Sequence, residues 1–281
     1  MPEELNLYLF NCVQSFFLGL IQGVTEFLPI SSTAHLKVIP YFLGWGDPGV
    51  SISASLQLGS AIAIVFYFRD QIALIIKSFL DILINHKFFK DDNTKLATYI
   101  FIASVPILFV GLFIKLFWIG FSDSYFRGFF SIAIVSIFMA LLLALSEKYS
   151  TKKKLFKDIQ LKDIILLGLS QTLAIFPGVS RSGVTLTSAL FSGIERNTAA
   201  RISFLVGIPA ISISGVVEFF TLFRTSSSLD IIPIFIGIIS SFFSSIIAID
   251  LLLKFLSKYN TLIFVYYRLA FGVFILSTLY F

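Results

Sequence analysis

LGLIQGVTEFLPISSTAH (residues 18–35) is the stretch on which the fold prediction depends, because it combines a glutamate, a histidine and four hydroxyl side chains with a proline. The surrounding chain is apolar. Of its 281 residues, 57% are hydrophobic, 13% are charged and 34 are phenylalanine, and the mean hydropathy is +0.94. A soluble domain carries about 25% charged residues. The composition therefore indicates an integral membrane protein and excludes a water-soluble domain.

A second stretch, LGLSQTLAIFPGVS (167–180), repeats part of this pattern. It matches residues 18–31 without gaps at Leu, Gly, Leu, Gln, Phe and Ser, 149 residues further along the chain. The regions 5–43 and 163–193 around the two stretches are apolar pieces broken by proline and glycine. We interpret each as a re-entrant helical hairpin, whose irregular tip survives only inside protein or beside a wet cavity. A pair of full crossings is the alternative.

Six other stretches are long enough to cross about 30 Å of hydrocarbon as helices. Loops 69–95 and 147–162 between them are rich in lysine, which places them in the cytoplasm. The connections near 119–126 and 223–229 are nearly uncharged and are expected outside, together with both termini. The acidic N-terminus lacks the basic region of a signal peptide, so we expect no cleavage. The six predicted spans are 48–68, 96–118, 127–146, 197–222, 230–253 and 260–280.

One hairpin followed by three spans accounts for each half of the chain. Because three is odd, the second half enters the membrane upside down. The sequence thus predicts an all-α integral membrane protein, an inverted-topology repeat with six transmembrane helices plus two re-entrant helical hairpins. A single membrane domain, 1–281, would consist of repeats at about 1–146 and 160–281 joined by a basic cytoplasmic loop. Broken helices of such repeats place a site near the midplane.

Two charged residues near the hairpin tips are the strongest functional candidates, since a charge at membrane depth costs about 2.5–3.5 kcal/mol to insert. Glu26 and Arg181 fall at corresponding parts of the two hairpins, so we expect them to meet in one polar cavity. Gln22 lies four residues before Glu26 and shares its helix face. Pro29 cannot continue that helix.

Hydroxyl side chains follow the break in the first hairpin. Ser31, Ser32 and Thr33 are good N-cap residues for a short second helix, and His35 lies within one turn of them. Such hydroxyls also satisfy backbone groups freed by a proline, and a lone histidine is often only a structural hydrogen-bonding group. Both interpretations stay open here.

The second hairpin reads PGVSRSGVT (177–185). Ser180 or Ser182 can cap the helix that follows, and Gly183 permits close backbone approach. Both tips therefore offer helix N-termini, which attract phosphate-like anions, and Arg181 adds a charged fork suited to phosphate oxygens.

A carboxylate, hydroxyls, a histidine, an arginine and anion-binding helix starts are the parts of a phosphoryl-transfer site. Glu26 would hold Mg²⁺ or Ca²⁺, which prefer oxygen ligands, or act as a base, and the spacing does not choose between them. A transporter or lipid flippase is the rival class, because inverted repeats are a transporter plan. A structural membrane subunit is the third, and it would leave both charges without a task.

The motifs QGVTE (22–26), PISSTAH (29–35) and PGVSRSG (177–183) resemble those of the undecaprenyl-diphosphate phosphatase family of bacteria, also known for bacitracin resistance. SLQLGSAIAIV (55–65) and ERNTAARISFLVGIPA (195–210) are similar too. The resemblance runs from about residue 10 to the C-terminus. It implies a hydrolase of the bacterial cytoplasmic membrane that removes the terminal phosphate of undecaprenyl diphosphate on the outer side, regenerating the lipid carrier for cell-wall synthesis.

Carried onto matching positions, the resemblance makes Glu26, Ser32, His35 and Arg181 the expected catalytic residues. We expect a divalent cation, Mg²⁺ or Ca²⁺, with Glu26 as its ligand. Ala34 replaces the glycine usual in the family, and glutamine stands at the first motif position where many relatives have glutamate. The expected substrate-binding residues are Gln22, Ser31, Thr33, Ser180, Ser182 and Gly183.

The expected partners are a polyprenyl diphosphate lipid and the membrane lipids. The net charge of +5 lies mostly in two loops and is explained by topology, so we expect no nucleic acid. The sequence leaves the attacking group open among Ser32, His35 and water. It also leaves the oligomeric state open, with a homodimer as one candidate.

Overall fold

The computed structural model describes residues 2–86, 88–118, 120–121, 124–225 and 228–279. Within them the chain is helical, with short 3₁₀ turns and no β-strand. Lys87 and parts of the predicted connections 119–126 and 223–229 lie outside the described residues. The α-helices are α1 (Pro2–Phe27), α2 (Ser32–Phe42), α3 (Gly49–Tyr67), α4 (Arg69–Asn85), α5 (Asp92–Phe117), α6 (Phe129–Tyr149), α7 (Leu161–Gln171), α8 (Arg181–Phe191), α9 (Arg196–Thr225), α10 (Ser228–Leu256) and α11 (Leu262–Thr278).

Six of these helices are long and apolar enough to cross a membrane. Their outward faces carry large apolar side chains; Phe109 and Phe117 on α5, for example, expose 68% and 71% of their surface. The protein is therefore an all-α, multi-pass membrane protein, as the composition predicts. The six segments are Leu5–Phe27, Gly49–Tyr67, Asp92–Phe117, Phe129–Tyr149, Arg196–Arg224 and Ile231–Leu256.

The crossing segments differ from the predicted set at the two ends of the chain, where Leu5–Phe27 is added and the predicted span 260–280 is not among the six. The region 5–43 begins with α1, a continuous helix of 26 residues. The glycines within it do not interrupt the helix, whereas the ring of Pro29 cannot continue it. The predicted span 260–280 contains α11, which has only 17 residues and is about 26 Å long. The re-entrant course of the two tips stays a prediction.

The predicted loop 69–95 is largely helical, which corrects the sequence analysis. Helix α4 occupies its first 17 residues. The lysines of 69–95 indicate a loop, whereas the apolar residues of α4 recur at the spacing of an amphipathic helix. The residues on its inner face are Ile72, Ile75, Phe79 and Ile82.

The pairing of helices follows the pattern that an inverted repeat would produce. Helix α1 packs along α10 and α7 packs against α5, while α3 packs on α9 and α6 packs on α11. In such a repeat α1 corresponds to α7, α3 to α9, α5 to α10 and α6 to α11. Exchanging the halves therefore turns the pair α1–α10 into α7–α5, and it leaves the pairs α3–α9 and α6–α11 unchanged. Among the described helices, α4 has no counterpart. The pairing supports the repeat, and its boundaries at 1–146 and 160–281 stay a prediction.

Glycines bring the helix before each tip, α1 or α7, which we call the first arm of that tip, close to a neighbouring helix. A Cβ at Gly19 would overlap the carbonyl of Gly237, so α1 and α10 touch along their backbones. Gly168, 149 residues later, lies against the backbone of Ala103 on α5. Small residues allow such contacts between membrane helices. Each first arm is therefore held by backbone packing.

The carboxylate of Glu147 joins three helices at the end of α6. It accepts hydrogen bonds from the guanidinium of Arg196 on α9 and from the hydroxyl of Thr261 at the start of α11. Because α6 continues to Tyr149, the predicted loop 147–162 begins at Ser150.

Candidate active site

Glu26 lies at the centre of a buried polar cluster, in the last turn of α1. Its Oε2 accepts hydrogen bonds from Gln22 Nε2 at 2.8 Å and from Ser32 Oγ at 2.9 Å. Its Oε1 lies 3.4 Å from Arg181 Nη2. All four residues are buried. The structure thus brings Glu26 and Arg181 together, as expected from the two hairpins.

The two tips share an unusual backbone conformation. Ser31 has a φ of 77° and Ser180 a φ of 70°, a region that costs a non-glycine residue about 1–3 kcal/mol. Each serine caps the helix that follows: Ser31 Oγ accepts from the Ala34 amide and Ser180 Oγ from the Gly183 amide. Ser31 and Ser180 are matched positions of the two similar stretches and lie 149 residues apart in the chain.

The first amides of any helix have no acceptor inside the helix, and each serine cap satisfies only one of them in α2 and in α8. Further hydroxyls crowd both starts. The hydroxyl oxygens of Ser31 and Thr33 lie 3.1 Å apart at the first tip. Those of Ser180 and Ser182 lie 3.2 Å apart at the second. The Ser182 hydroxyl also donates to the Leu28 carbonyl at 3.0 Å. The predicted substrate-binding hydroxyls are therefore gathered at two adjacent helix N-termini.

Arg181 is held on its far side by α9. Its Nη1 donates to the Ser203 carbonyl at 3.2 Å, and a Cβ at Gly207 would overlap the guanidinium. The Nε of Arg181 has no acceptor among the described residues. The arginine is therefore positioned on both sides and keeps one buried donor for a ligand.

His35 lies one turn further along α2 and faces α11. Its Nδ1 donates to the Ser31 carbonyl, and its Nε2 accepts from the Tyr267 hydroxyl, each at 2.7 Å. Its ring stacks on Phe271 with centroids 4.3 Å apart. No described contact joins His35 to Glu26 or to the arginine of the cluster, so its catalytic role stays a prediction.

An apolar groove passes His35 on the side of α11. Its volume is about 510 Å³, and it lies between α1, α2 and α11. Its lining includes Thr25, the residue before Glu26, and His35. It is lined by Leu20, Val24, Leu28, Ile39, Ile263 and Tyr267, among others.

The oxygen atoms around Glu26 fit a hard divalent cation shared with a ligand. No group of three or more His, Cys, Asp or Glu side chains that could hold a metal is found among the described residues. However, Gln22 Oε1 is buried and has no partner there. Mg²⁺ is commonly held by one or two carboxylates together with substrate phosphates. Glu26 and Gln22 would supply such a protein share.

Sequence analysis missed two residues of α11 at this site, Tyr267 and Arg268. Arg268 is 1% exposed and lies 3.0 Å from where a Cβ of Gly183 would be, so the close approach expected at Gly183 is observed. The rule applied to Glu26 could have found this arginine, since it is the only Asp, Glu, Lys or Arg in the predicted span 260–280. Nothing in the sequence marks the partner of His35.

The protein is similar to known proteins over nearly its whole length. Residues 15–274 match the family model described as Bacitracin resistance protein BacA. An undecaprenyl-diphosphatase of Prochlorococcus marinus (strain NATL1A) is 71% identical over 279 residues, which cover 99% of this chain and 100% of the relative.

More distant relatives carry the same name. An undecaprenyl-diphosphatase of Prochlorococcus marinus (strain MIT 9303) is 48% identical over 95% of this chain and 90% of its own length. One of Synechococcus sp. (strain WH7803) is 48% identical over 94% of this chain and 92% of its own length. On this evidence, the chain belongs to the Bacitracin resistance protein BacA family.

Proposed function

We propose that the protein hydrolyses the terminal phosphate of undecaprenyl diphosphate, giving undecaprenyl phosphate and inorganic phosphate. This reaction would recycle the lipid carrier of cell-wall synthesis and confer bacitracin resistance. The names of the family and of the relatives support the substrate. The observation that carries the chemistry is the buried carboxylate of Glu26, which contacts both a hydroxyl and a guanidinium.

Binding of the diphosphate would use the positive groups of both tips. The guanidinium of Arg181 and the free amides of α2 and α8 are donors suited to phosphate oxygens. The apolar groove beside His35 would take the first part of the prenyl chain, because apolar side chains of α1, α2 and α11 line it. The diphosphate would thus lie between the tips while the rest of the chain stays in lipid.

The contact between Ser32 and Glu26 suggests the order of chemical steps. Ser32 Oγ would bond to the terminal phosphorus while the bond to the bridging oxygen breaks and the lipid monophosphate leaves. The serine proton would pass to Glu26, whose Oε2 accepts it at 2.9 Å. Water would then hydrolyse the phosphoserine and release inorganic phosphate. Arg181 would neutralise charge on the transferring group.

His35 or water stays an alternative attacker in this proposal. The orientation of His35 favours Ser32, because the imidazole Nε2 is engaged by Tyr267 while the serine hydroxyl already contacts a base. As a proton shuttle, His35 would first have to release Tyr267.

A divalent cation, Mg²⁺ or Ca²⁺, is part of the proposal. Glu26 and Gln22 would hold it together with oxygen atoms of the substrate, and in that role Glu26 would be a ligand and not the base that takes the serine proton. It would supply positive charge to the phosphate group undergoing transfer.

We place the site on the outer side of the bacterial cytoplasmic membrane. The family resemblance implies this side for the site, and the basic loops support the orientation of the chain, since lysine-rich loops stay in the cytoplasm. A homodimer is a further proposal, for which the membrane-facing surface leaves room. The transporter alternative gains no support, because the relatives described above are named for a diphosphatase and not for transport.

Phosphate release from a C55 prenyl diphosphate in detergent tests the proposed function. The wild type should release phosphate without any membrane to cross, and Arg181→Ala should lose about 10²–10³-fold in kcat, the usual effect of removing one oxyanion donor. Arg201→Ala, which alters an exposed arginine stacked near Phe68, is the matched control and should match the wild type. A chelator should lower the wild-type rate, and added Mg²⁺ or Ca²⁺ should restore it. Absence of phosphate release by the folded wild type with either cation would refute the proposal.

A further inference from the structure

Arg268 is a charged side chain that the proposed chemistry does not use. It lies on α11, is 1% exposed and is among the largest fully buried side chains of the protein. Arginine at membrane depth is rare and requires partners. The partners of Arg268 therefore indicate what it does.

The guanidinium of Arg268 binds both tips at once. Its Nη1 donates to the Pro29 carbonyl of the first tip at 3.1 Å and to the Val179 carbonyl of the second at 3.2 Å. Its Nη2 donates to the Gly178 carbonyl at 2.5 Å, and its Nε to the Ser136 carbonyl of α6 at 3.3 Å. One side chain thus joins the two tips to α6 and α11.

The carbonyls of Pro29, Gly178 and Val179 lie just before the two strained caps in sequence. Pro29 is two residues before Ser31, and Gly178 is two residues before Ser180. Holding the carbonyls fixes the separation of the caps and, through them, the approach of α2 to α8. A lysine could not replace this contact, because its single nitrogen lacks the planar fork of a guanidinium.

Among the described residues, no carboxylate forms an ion pair with Arg268. All four of its described acceptors are backbone carbonyl oxygens, whereas Arg181 is paired with Glu26. Arg268 also lies beside Gly183, in the first turn of α8, where the helix dipole is positive. The excess of positive charge at the tips would be relieved by an anionic ligand.

We propose that Arg268 is a positioning residue for phosphate transfer, because it ties the Pro29 carbonyl to the Gly178 and Val179 carbonyls and so keeps Glu26 in reach of Arg181. Its unpaired charge adds to the attraction of the diphosphate. This inference rests on the proposed function.

Two substitutions separate the tie from the charge. Arg268→Lys keeps the charge but loses the bridge, so kcat should fall about 10²-fold, the effect of a small misplacement, while KM stays near the wild-type value. Arg268→Met loses both, so KM should also rise. Guanidinium ion at a non-denaturing concentration should raise the kcat of Arg268→Met, because it fits the vacated site; urea should not.

Arg196→Met is the control for a purely structural arginine. It removes the partner of Glu147, a contact between α9 and α6 that involves neither tip, so it should lower thermal stability without lowering the rate per folded molecule and without guanidinium rescue. Wild-type turnover in the same assay shows that the proposed function holds. If it holds and both Arg268 variants turn over like the wild type, the inference is overturned. It is equally overturned if neither variant folds, because the arginine would then serve folding alone.

Discussion

The hydroxyl of Ser32 donates to a carboxylate and not to an imidazole, and this contact distinguishes the proposed attackers. Ser31 provides the cap of α2, which leaves the Ser32 side chain free to reach Glu26. A serine that caps its own helix would have its oxygen occupied by the backbone. The neighbouring hydroxyls therefore have separate tasks although they are adjacent in sequence.

Replacing Ser32 by alanine should abolish turnover, with a loss of at least about 10³-fold in kcat, because no other described hydroxyl contacts Glu26. Phosphate release under saturating substrate measures the loss, and brief acid quench of the wild type should trap phosphate on Ser32. Ser257→Ala, which removes an exposed hydroxyl just after α10 that donates to the Lys254 carbonyl, is the control and should match the wild type. Near-normal turnover of Ser32→Ala would eliminate the serine route in favour of water or His35.

Glu26 and His35 differ in their contacts, and their substitutions should differ in effect. Glu26→Gln keeps an oxygen that can accept from Ser32 but removes the carboxylate that would take its proton, so kcat should fall about 10²–10⁴-fold, the range for a lost general base. His35→Gln should cost less, since His35 contacts Tyr267 and the Ser31 carbonyl. Parallel kcat measurements on protein checked for folding by thermal melting give the ranking. A larger loss in His35→Gln would contradict it.

Helices α8 and α9 position Arg181 through the missing side chain at Gly207. A methyl group at that position would overlap the guanidinium, so Gly207→Ala should displace Arg181 and reduce kcat/KM about 10²-fold while the protein stays folded. Gly111→Ala is the matched control, because a Cβ at Gly111 in α5 meets nothing within 4 Å. Equal activity of the two variants would show that Arg181 is not confined by α9.

The tips and the buried charge of Arg268 could be predicted from the sequence, whereas the contacts that support the tips could not. Pro29, the serine caps and the match between 18–31 and 167–180 are local signals, and they lead to the meeting of Glu26 and Arg181. The contact between His35 and Tyr267 joins residues 232 positions apart, and no local pattern encodes it. Helix α4 differs from both cases, because its apolar spacing is that of an amphipathic helix while the lysines that indicate a loop in 69–95 mostly follow it.

The two halves of the molecule are interlocked, so the site depends on the whole chain. Helix α1 packs on α10, α7 packs on α5, and Arg268 reaches from the last helix to both tips. Neither half could form the cluster around Glu26 alone, because the carboxylate and the guanidinium come from different halves.

The orientation of the whole molecule can be measured with single cysteines in a Cys12→Ser background. Lys153→Cys in the basic linker should be labelled by a membrane-impermeant thiol reagent only from the cytoplasmic side, and Tyr125→Cys, between α5 and α6, only from outside. Tyr125 is 75% exposed, so burial would not prevent its labelling. Labelling of Lys153→Cys in intact cells would reverse the proposed topology.

An experimental structure of the full chain bound to a prenyl methylenediphosphonate, which cannot be hydrolysed, tests the meeting of the two tips most directly. The terminal phosphonate should lie between Ser32 Oγ and the guanidinium of Arg181, with the amides of α2 and α8 directed at its oxygens and Glu26 within reach of the same group. A diphosphonate bound elsewhere, with Glu26 and Arg181 facing separate compartments, would contradict the account.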